Sequence, residues 1–202
     1  MQTRIPLIAN GTADIECGVS TITLGRLKQV DFTVMSFITG SKLLVKKSSG
    51  IKSLDDLGGK VLAASLGTTN EKAALSEIAR KGLKVEVVKV KDHPQALLML
   101  EQDRADAYVS DDVVLYGLKS TSKNPDGYEV VGPYFSYDPY GMIVSKNDQD
   151  FRVFADRVIG KLMSSGEIVK IYEKWFLPGP TNIQYPLNER LKAAFDLMAL
   201  PE

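Results

Sequence analysis

Short apolar runs alternate with amphipathic segments through the middle of this chain. The runs have the length of buried strands, and each is followed by apolar residues that recur at helical spacing. The predicted strands are residues 41–46, 60–64, 85–90 and 106–109, and the predicted helices are residues 71–81, 94–102 and 112–119. Strands separated by helices at this spacing predict βαβ units with a largely parallel sheet, and therefore an α/β fold.

Several predicted helix ends carry capping residues. Ser53 and Asp56 form a pattern like a capping box at the start of a short helix. Asn10 and Gly11 follow a helical segment that ends at residue 9, with Gly11 placed where a left-handed residue is favoured. Asn188 is predicted to cap the last helix.

Two apolar sets nearer the C-terminal end recur at helical spacing and are predicted to be core. They are Phe151, Phe154, Val158 and Leu162, followed by Ile168, Ile171, Tyr172 and Trp175. Aromatic and aliphatic residues in such stripes are usually the buried face of a helix. We therefore interpret these side chains as core, and not as part of a ligand site.

A polar, turn-rich loop at residues 120–127 interrupts the alternation, and predicted strands follow at 128–131 and 140–145. This pattern predicts two lobes: residues 47–136 form an inserted lobe 2, and residues 1–46 with 137–202 form a discontinuous lobe 1. The strands at 41–46 and 140–145 would cross between the lobes as a hinge. A ligand is expected in the crevice, where carboxyl ends of strands and helix N-termini meet.

Composition narrows the class of protein. The 202 residues are 44% hydrophobic, and 25 Lys and Arg balance 25 Asp and Glu, so no basic block indicates a nucleic-acid partner. No apolar run reaches membrane-spanning length. Cys17 is the sole cysteine, and CxxC and HxxxH patterns are missing, so neither an internal disulfide nor a metal site is expected.

The loop at residues 18–33 carries the candidate chemistry. Arg26 offers a planar fork of donors that can hold a carboxylate through two parallel hydrogen bonds, and Ser20, Thr21 and Thr23 add hydroxyls beside it. This combination suits a small acid. The alternative is that Arg26 pairs with Asp31 on a solvated surface.

Four motifs, in order along the chain, resemble those of bacterial periplasmic amino-acid-binding proteins that feed ABC importers. They are TITLGRLKQVDFT at 21–33, SLGTTN at 65–70, RADAYVSD at 104–111 and GEIVKIYEKWF at 166–176. Residues 4–18, RIPLIANGTADIECG, are similar more specifically to the glutamate/aspartate-binding branch. The resemblance implies a two-lobe, periplasmic-binding-protein-like type II fold, a periplasmic location, a membrane permease as partner and a free amino acid as ligand, with no cofactor.

The resemblance also implies a site. Arg26, Thr21 and the amide of Thr69 would bind the α-carboxylate beside Ser65, and Asp111 would bind the ammonium group. Arg4 and His93 would approach the distal carboxylate of a glutamate or aspartate, and Val19 would offer its backbone carbonyl. The chain departs from the family pattern at Val19, where a small residue is usual, and at Asp103, where Gly is usual.

Other interpretations of these residues stay open. Asp111 could cap the helix that starts near Asp112, although Asp112 itself is the better cap candidate. His93 could be an ordinary helix-start residue, and Arg4 could be a solvated arm. An enzyme of the dehydratase type, with Glu16 or Glu71 as acid or base, or a sensor module, could use the same fold.

The start of the chain is shorter than the family pattern leads one to expect. No signal peptide is recognised in MQTRIPLIANG, and family members carry a strand, a helix and another strand before residue 4. We therefore expect a truncated form with an incomplete lobe 1. Its strand at residues 13–17 would present an unpaired edge, which predicts a homo-oligomer and weak amino-acid affinity.

Overall fold

The computed structural model describes residues 3–199, which divide into two units. Unit 1 is Thr39–Tyr137, and unit 2 consists of the described residues up to Ile38 and from Asp138 onwards. The sequence had placed the two boundaries at 46/47 and 136/137. The chain instead passes between the units after Ile38 and after Tyr137.

Strands and helices alternate along the chain as follows. The strands are β1 (Ile15–Glu16), β2 (Asp31–Phe32), β3 (Phe37–Thr39), β4 (Ser41–Lys46), β5 (Val61–Ser65), β6 (Glu86–Val90), β7 (Ala107–Asp111), β8 (Tyr128–Val131), β9 (Asp138–Tyr140) and β10 (Ile143–Val144). The α-helices are α1 (Arg4–Ala9), α2 (Thr69–Lys81), α3 (His93–Glu101), α4 (Asp112–Thr121), α5 (Gln149–Ser164), α6 (Glu167–Phe176) and α7 (Glu189–Met198). Short 3₁₀ helices cover Arg26–Lys28, Lys47–Ser49, Leu54–Leu57 and Pro125–Gly127.

Unit 1 is built on a five-stranded sheet in the order β6-β5-β7-β4-β8. The strands β6, β5 and β7 are parallel, as the βαβ pattern predicts, and β4 is antiparallel to both of its neighbours. One face of the sheet packs Leu62 and Val109 against Ile78 of α2. The other face packs Ala63 and Tyr108 against helices α3 and α4.

The strand β4 corrects one expectation, because it does not carry the chain between the units. It pairs with β7 on one side and β8 on the other, wholly within unit 1. Its residues Leu43 and Leu44 face opposite sides of the sheet and are both buried. A strand that is buried on both faces has a continuous apolar sequence. Its sequence alone therefore does not distinguish a strand at the centre of one sheet from a strand that connects the two units.

Three of the predicted helix-end residues are confirmed. Ser53 and Asp56 form a reciprocal capping box, the Asn188 side chain accepts a hydrogen bond from the Leu191 amide, and Gly11 follows α1 with φ +74°. Helix α2 begins at Thr69, earlier than predicted, because the Thr68 side chain caps it by accepting from the Glu71 amide.

Unit 2 holds a small antiparallel sheet in the order β1-β10-β2. Ile8, Val30, Phe32 and Ile143 form one cluster of its core. The strands β3 and β9 pair in a second, two-stranded sheet.

The predicted core stripe of α5 is wrong at two of its four residues, while Phe151 and Leu162 are half-buried. Phe154 is 63% exposed and Val158 is also exposed, whereas Ala155 and Ile159, one position further along, are buried. The buried side also carries Asp156, which accepts a hydrogen bond from the Val34 amide at 2.7 Å. On α6 the expectation fails in the same way for two of its residues, because Ile171 and Trp175 are exposed while Tyr172 is buried.

Within residues 3–199, no helix is both long and apolar enough to cross a membrane. The same described residues contain no cluster of three or more His, Cys, Asp or Glu side chains arranged to hold a metal ion.

Candidate functional site

The Arg26 side chain of unit 2 is held against the loop that precedes it. Its Nη1 donates to the Thr21 carbonyl oxygen at 2.6 Å, and its backbone amide donates to Thr23 Oγ1 at 3.2 Å. Asp31, the alternative partner considered from sequence, forms an ion pair with Arg152 at 3.4 Å. The loop therefore presents a guanidinium group in a fixed position.

Thr21 is tied into the same region of unit 2. It is buried, and its Oγ1 donates to Asp138 Oδ1 at 3.1 Å. It also forms an isolated antiparallel bridge with Tyr140. The structure thus brings Thr21 and Arg26 together, as the motif predicted, and adds Asp138 as a support that the sequence did not indicate.

Arg4 lies against a second part of unit 2. Its Nη1 donates to the Val19 carbonyl oxygen at 3.2 Å and to Ser20 Oγ at 3.3 Å, and forms an ion pair with Glu16 at 3.2 Å. Glu16 in turn accepts from the Gly18 amide at 2.8 Å and from Ser20 Oγ at 2.7 Å. Arg4 is therefore a fixed cation and not a solvated arm, and it contacts the Val19 carbonyl that was expected to face the ligand.

In unit 1, the candidate residues lie near the carboxyl ends of the neighbouring parallel strands β5 and β7. Asp111 is the last residue of β7 and is only 5% exposed. Its Oδ1 accepts from Asn70 Nδ2 at 2.9 Å, and the same nitrogen donates to Ser41 Oγ at 2.9 Å. The carboxylate is therefore buried and oriented by an amide from α2.

The capping role considered for these aspartates applies in part to Asp112 and not to Asp111. Asp111 occupies the N-cap position of α4 but makes no side-chain capping hydrogen bond. The Asp112 carboxylate accepts from the Val113 amide in the first turn of α4 at 2.8 Å, from the Thr39 hydroxyl at 2.6 Å and from the Tyr134 hydroxyl. Asp112 thus anchors the start of α4 to other parts of unit 1.

The loop between β5 and α2 is held by Glu71. Its Oε2 accepts from the Gly67 amide at 2.6 Å, and its Oε1 lies 2.8 Å from Lys89 Nζ. Burial alone would raise the pKa of Glu71, but hydrogen bonds from Lys89 and from the Gly67 amide outweigh burial and lower it. Gly67 adopts φ +76°, a conformation that strongly favours glycine. This loop leads to Thr69, the first residue of α2, where helix amides and the helix dipole favour an anion.

His93 and Ser65 are joined through Tyr108. The phenol oxygen lies 2.6 Å from His93 Nδ1 and 2.8 Å from Ser65 Oγ. Tyr108 is fully buried in β7, and burial is the main reason that its pKa is raised. The candidate residues Ser65, Thr69, His93 and Asp111 thus belong to unit 1, and Arg4, Val19, Thr21 and Arg26 belong to unit 2.

The family model of bacterial extracellular solute-binding proteins, family 3, matches residues 1–178. The chain belongs to this family. It is 43% identical to the L-glutamate/L-aspartate-binding protein of Pseudomonas aeruginosa, over 95% of this chain and 65% of that protein. It is 38% identical to the glutamate/aspartate import solute-binding protein of Salmonella typhimurium, over 96% of this chain and 66% of that protein.

Solved structures are similar to this member of the solute-binding family as well. An ancestral arginine-binding protein bound to glutamine is 34% identical with a TM-score of 0.77, over 87% of this chain and 76% of that chain. The present chain spans about two thirds of the length of the two curated relatives, 65% and 66%. The type II fold expected from the motifs is confirmed by these comparisons.

Besides Asp138, sequence analysis missed three polar residues of unit 1 that support the candidate groups in this solute-binding protein. Asn70 orients Asp111, Glu71 holds the loop before Thr69, and Tyr108 connects His93 with Ser65. Glu71 had been considered only as a catalytic acid or base. The available signal was that all three lie inside or beside the SLGTTN and RADAYVSD motifs.

Proposed function

We propose that this chain is the ligand-binding component of an amino-acid ABC importer, and that it binds L-glutamate or L-aspartate. The observation that carries the proposal is the contact of Arg26 with Thr21, which fixes a guanidinium group where the family motif calls for a carboxylate-binding arginine. The names of the relatives from Pseudomonas aeruginosa and Salmonella typhimurium support the choice of an acidic amino acid.

Each unit contributes groups with a stated role. In unit 2, Arg26 and Thr21 bind the α-carboxylate, and Arg4 with its Val19 contact serves the distal carboxylate. In unit 1, Asp111 binds the α-ammonium group, because a buried carboxylate held by Asn70 is stabilised by a cation. Ser65 and the amide of Thr69 add hydrogen bonds, and His93 donates to the distal carboxylate.

The proposed activity is binding without catalysis. Arg4 neutralises Glu16, and Lys89 together with the Gly67 amide holds Glu71 ionised. These carboxylates, which were the candidates for a dehydratase-type reaction, therefore have structural partners. No observation in the structure favours a sensor module over an importer component.

The partner and the location follow from the family. We propose that the chain works in the periplasm and delivers its ligand to a membrane permease.

A homo-oligomer would use β1, which lies at one edge of the unit 2 sheet and pairs with β10 on its other side. Light scattering at several protein concentrations tests this, and a monomer throughout would rule it out.

Isothermal titration calorimetry of the 202-residue chain with the common amino acids tests the proposed function. Glutamate and aspartate should bind more tightly than glutamine, arginine, histidine or lysine. Tighter binding of a neutral or basic amino acid would contradict the proposed specificity. Conversion of bound glutamate or aspartate, followed by proton NMR, would contradict binding without catalysis.

A further inference from the structure

Tyr108 places a hydroxyl group inside an apolar core. The residue is fully buried, and its side chain belongs to the cluster that contains Leu44, Leu100 and Leu115. A buried hydroxyl without partners costs free energy, so every hydrogen bond of this phenol has to be accounted for.

The phenol has two hydrogen-bond partners. Ser65 Oγ lies at 2.8 Å, and His93 Nδ1 lies at 2.6 Å. A phenol has a single proton to donate. At most one of the two partners can therefore receive it.

The acid–base order of the groups decides which neighbour receives it. A phenol is a much stronger acid than a serine hydroxyl, and a neutral imidazole nitrogen is a stronger base than a hydroxyl oxygen. The arrangement with the best match has Ser65 donating to the phenol oxygen, and Tyr108 donating to His93 Nδ1. Neutral His93 then carries its own proton on Nε2.

We propose that Tyr108 is a positioning residue that holds His93 in the Nε2–H tautomer and so makes its second nitrogen a hydrogen-bond donor. The consequence for ligand choice rests on the proposed function. A donor at Nε2 makes a charge-assisted hydrogen bond to a carboxylate, which is roughly twice as strong as a bond to the neutral oxygen of an amide. Tyr108 would thus favour glutamate over glutamine without contacting either.

The tautomer can be measured directly, because His93 is the sole histidine of the chain. Two-bond ¹⁵N–¹H correlation spectra distinguish Nδ1–H from Nε2–H imidazole, at a pH where the ring signals no longer change. The expected result is the Nε2–H form in the wild-type chain and a mixture of the two tautomers in Tyr108→Phe. Tyr128→Phe is the matched control, since Tyr128 is also buried in this cluster, and it should leave the spectrum unchanged.

Two spectral outcomes would overturn the inference. One is a wild-type chain in the Nδ1–H form, which is decisive even if Tyr108→Phe does not fold. The other is a folded Tyr108→Phe whose tautomer matches that of the wild type. Neither measurement needs a ligand, so both remain valid if the proposed function is wrong.

Calorimetry on the same variants tests the effect on specificity. The ratio of glutamate to glutamine affinity should fall by roughly fivefold in Tyr108→Phe, the effect of about one hydrogen bond. It should not change in Tyr128→Phe. If Tyr108→Phe lost the same amount of affinity for glutamate and for glutamine, a role of Tyr108 in specificity would be contradicted. A wild-type chain that binds neither ligand would contradict the proposed function, but it would not affect the tautomer result.

Discussion

Asn70 Nδ2 lies 2.9 Å from Asp111 Oδ1, and this contact joins the first turn of α2 to the end of β7. Both side chains are buried. The amide satisfies one oxygen of a carboxylate that would otherwise be poorly solvated, and it fixes the direction of that carboxylate. This contact gives Asp111 the fixed orientation that its proposed role as the ammonium-binding group needs.

Asp111→Asn should reduce glutamate affinity strongly. The substitution removes the charge that pairs with the ligand's ammonium group, a loss of about 2 to 5 kcal/mol for a buried charged pair. Calorimetry measures the loss. Asp112→Asn is the control: it removes a carboxylate tied to Thr39 and Tyr134, so it should lower the free energy of unfolding while glutamate affinity stays close to that of the wild type. Equal affinity losses in the two variants would contradict the role of Asp111.

Arg26→Ala should nearly abolish amino-acid binding, because it removes a bidentate, charge-assisted contact to the α-carboxylate. Arg26→Lys should recover only part of the affinity, since a lysine cannot form two parallel hydrogen bonds. Lys28→Ala, which removes an exposed cation from the same short helix, is the control and should bind normally. Wild-type affinity in Arg26→Ala would show that the loop at 18–33 is not the carboxylate-binding element.

Arg4→Gln should reduce the preference for glutamate over glutamine while the α-carboxylate contact is kept. Glu16→Gln should act in the opposite direction, because it removes the carboxylate that neutralises Arg4 at 3.2 Å. Competition titrations with the two ligands give the ratio for each variant. A ratio that moves in the same direction in both variants would contradict this electrostatic account.

Glu71 should make the fold sensitive to acid. Its pKa in the folded chain is lowered from the ordinary value of 4.5, because the hydrogen bonds of Lys89 and the Gly67 amide outweigh burial. The ionised Glu71 therefore stabilises the fold fully above about pH 4.5. This stabilisation is lost as the pH falls through the lower pKa of Glu71 in the folded chain. Urea unfolding at a series of pH values should show a steeper loss of stability in acid for the wild type than for Glu71→Gln.

Glu77→Gln is the matched control for Glu71, since Glu77 lies on the same helix and forms a surface ion pair with Arg80. Solvent screens such a pair, so the pH profile of unfolding should barely change. Parallel profiles for wild type and Glu71→Gln would show that Glu71 does not contribute as argued.

Two phenylalanines of unit 2 should respond oppositely to truncation. Phe154 is 63% exposed and Phe195 is 4% exposed. Phe195→Ala should lower the free energy of unfolding by about 3 to 5 kcal/mol, whereas Phe154→Ala should cost less than about 1 kcal/mol. Thermal and urea unfolding of the two variants provide the comparison. A large destabilisation by Phe154→Ala would contradict the orientation of α5.

The candidate site could be predicted from sequence only as far as the residues proposed to contact the ligand. Arg26, Thr21 and Asp111 stand in motifs whose spacing along the chain is visible without a structure. The supports of these groups lie far away in sequence, as with Tyr108, which is 43 residues from Ser65, or Asp138, which is 117 residues from Thr21. A motif can include a supporting residue, as it includes Tyr108, but it does not indicate which distant residue that side chain contacts.

Local physics explains what the sequence determined by itself. The alternation of apolar runs and amphipathic segments was enough for the parallel strands of unit 1, and the caps at Ser53 and Asn188 follow from hydrogen bonds within one helical turn. Tertiary structure decided the rest, because it depends on partners that are distant in sequence. Pairing with β7 and β8 makes β4 a central strand, and the buried face of α5 carries Asp156, whose hydrogen-bond partner Val34 is 122 residues away in sequence.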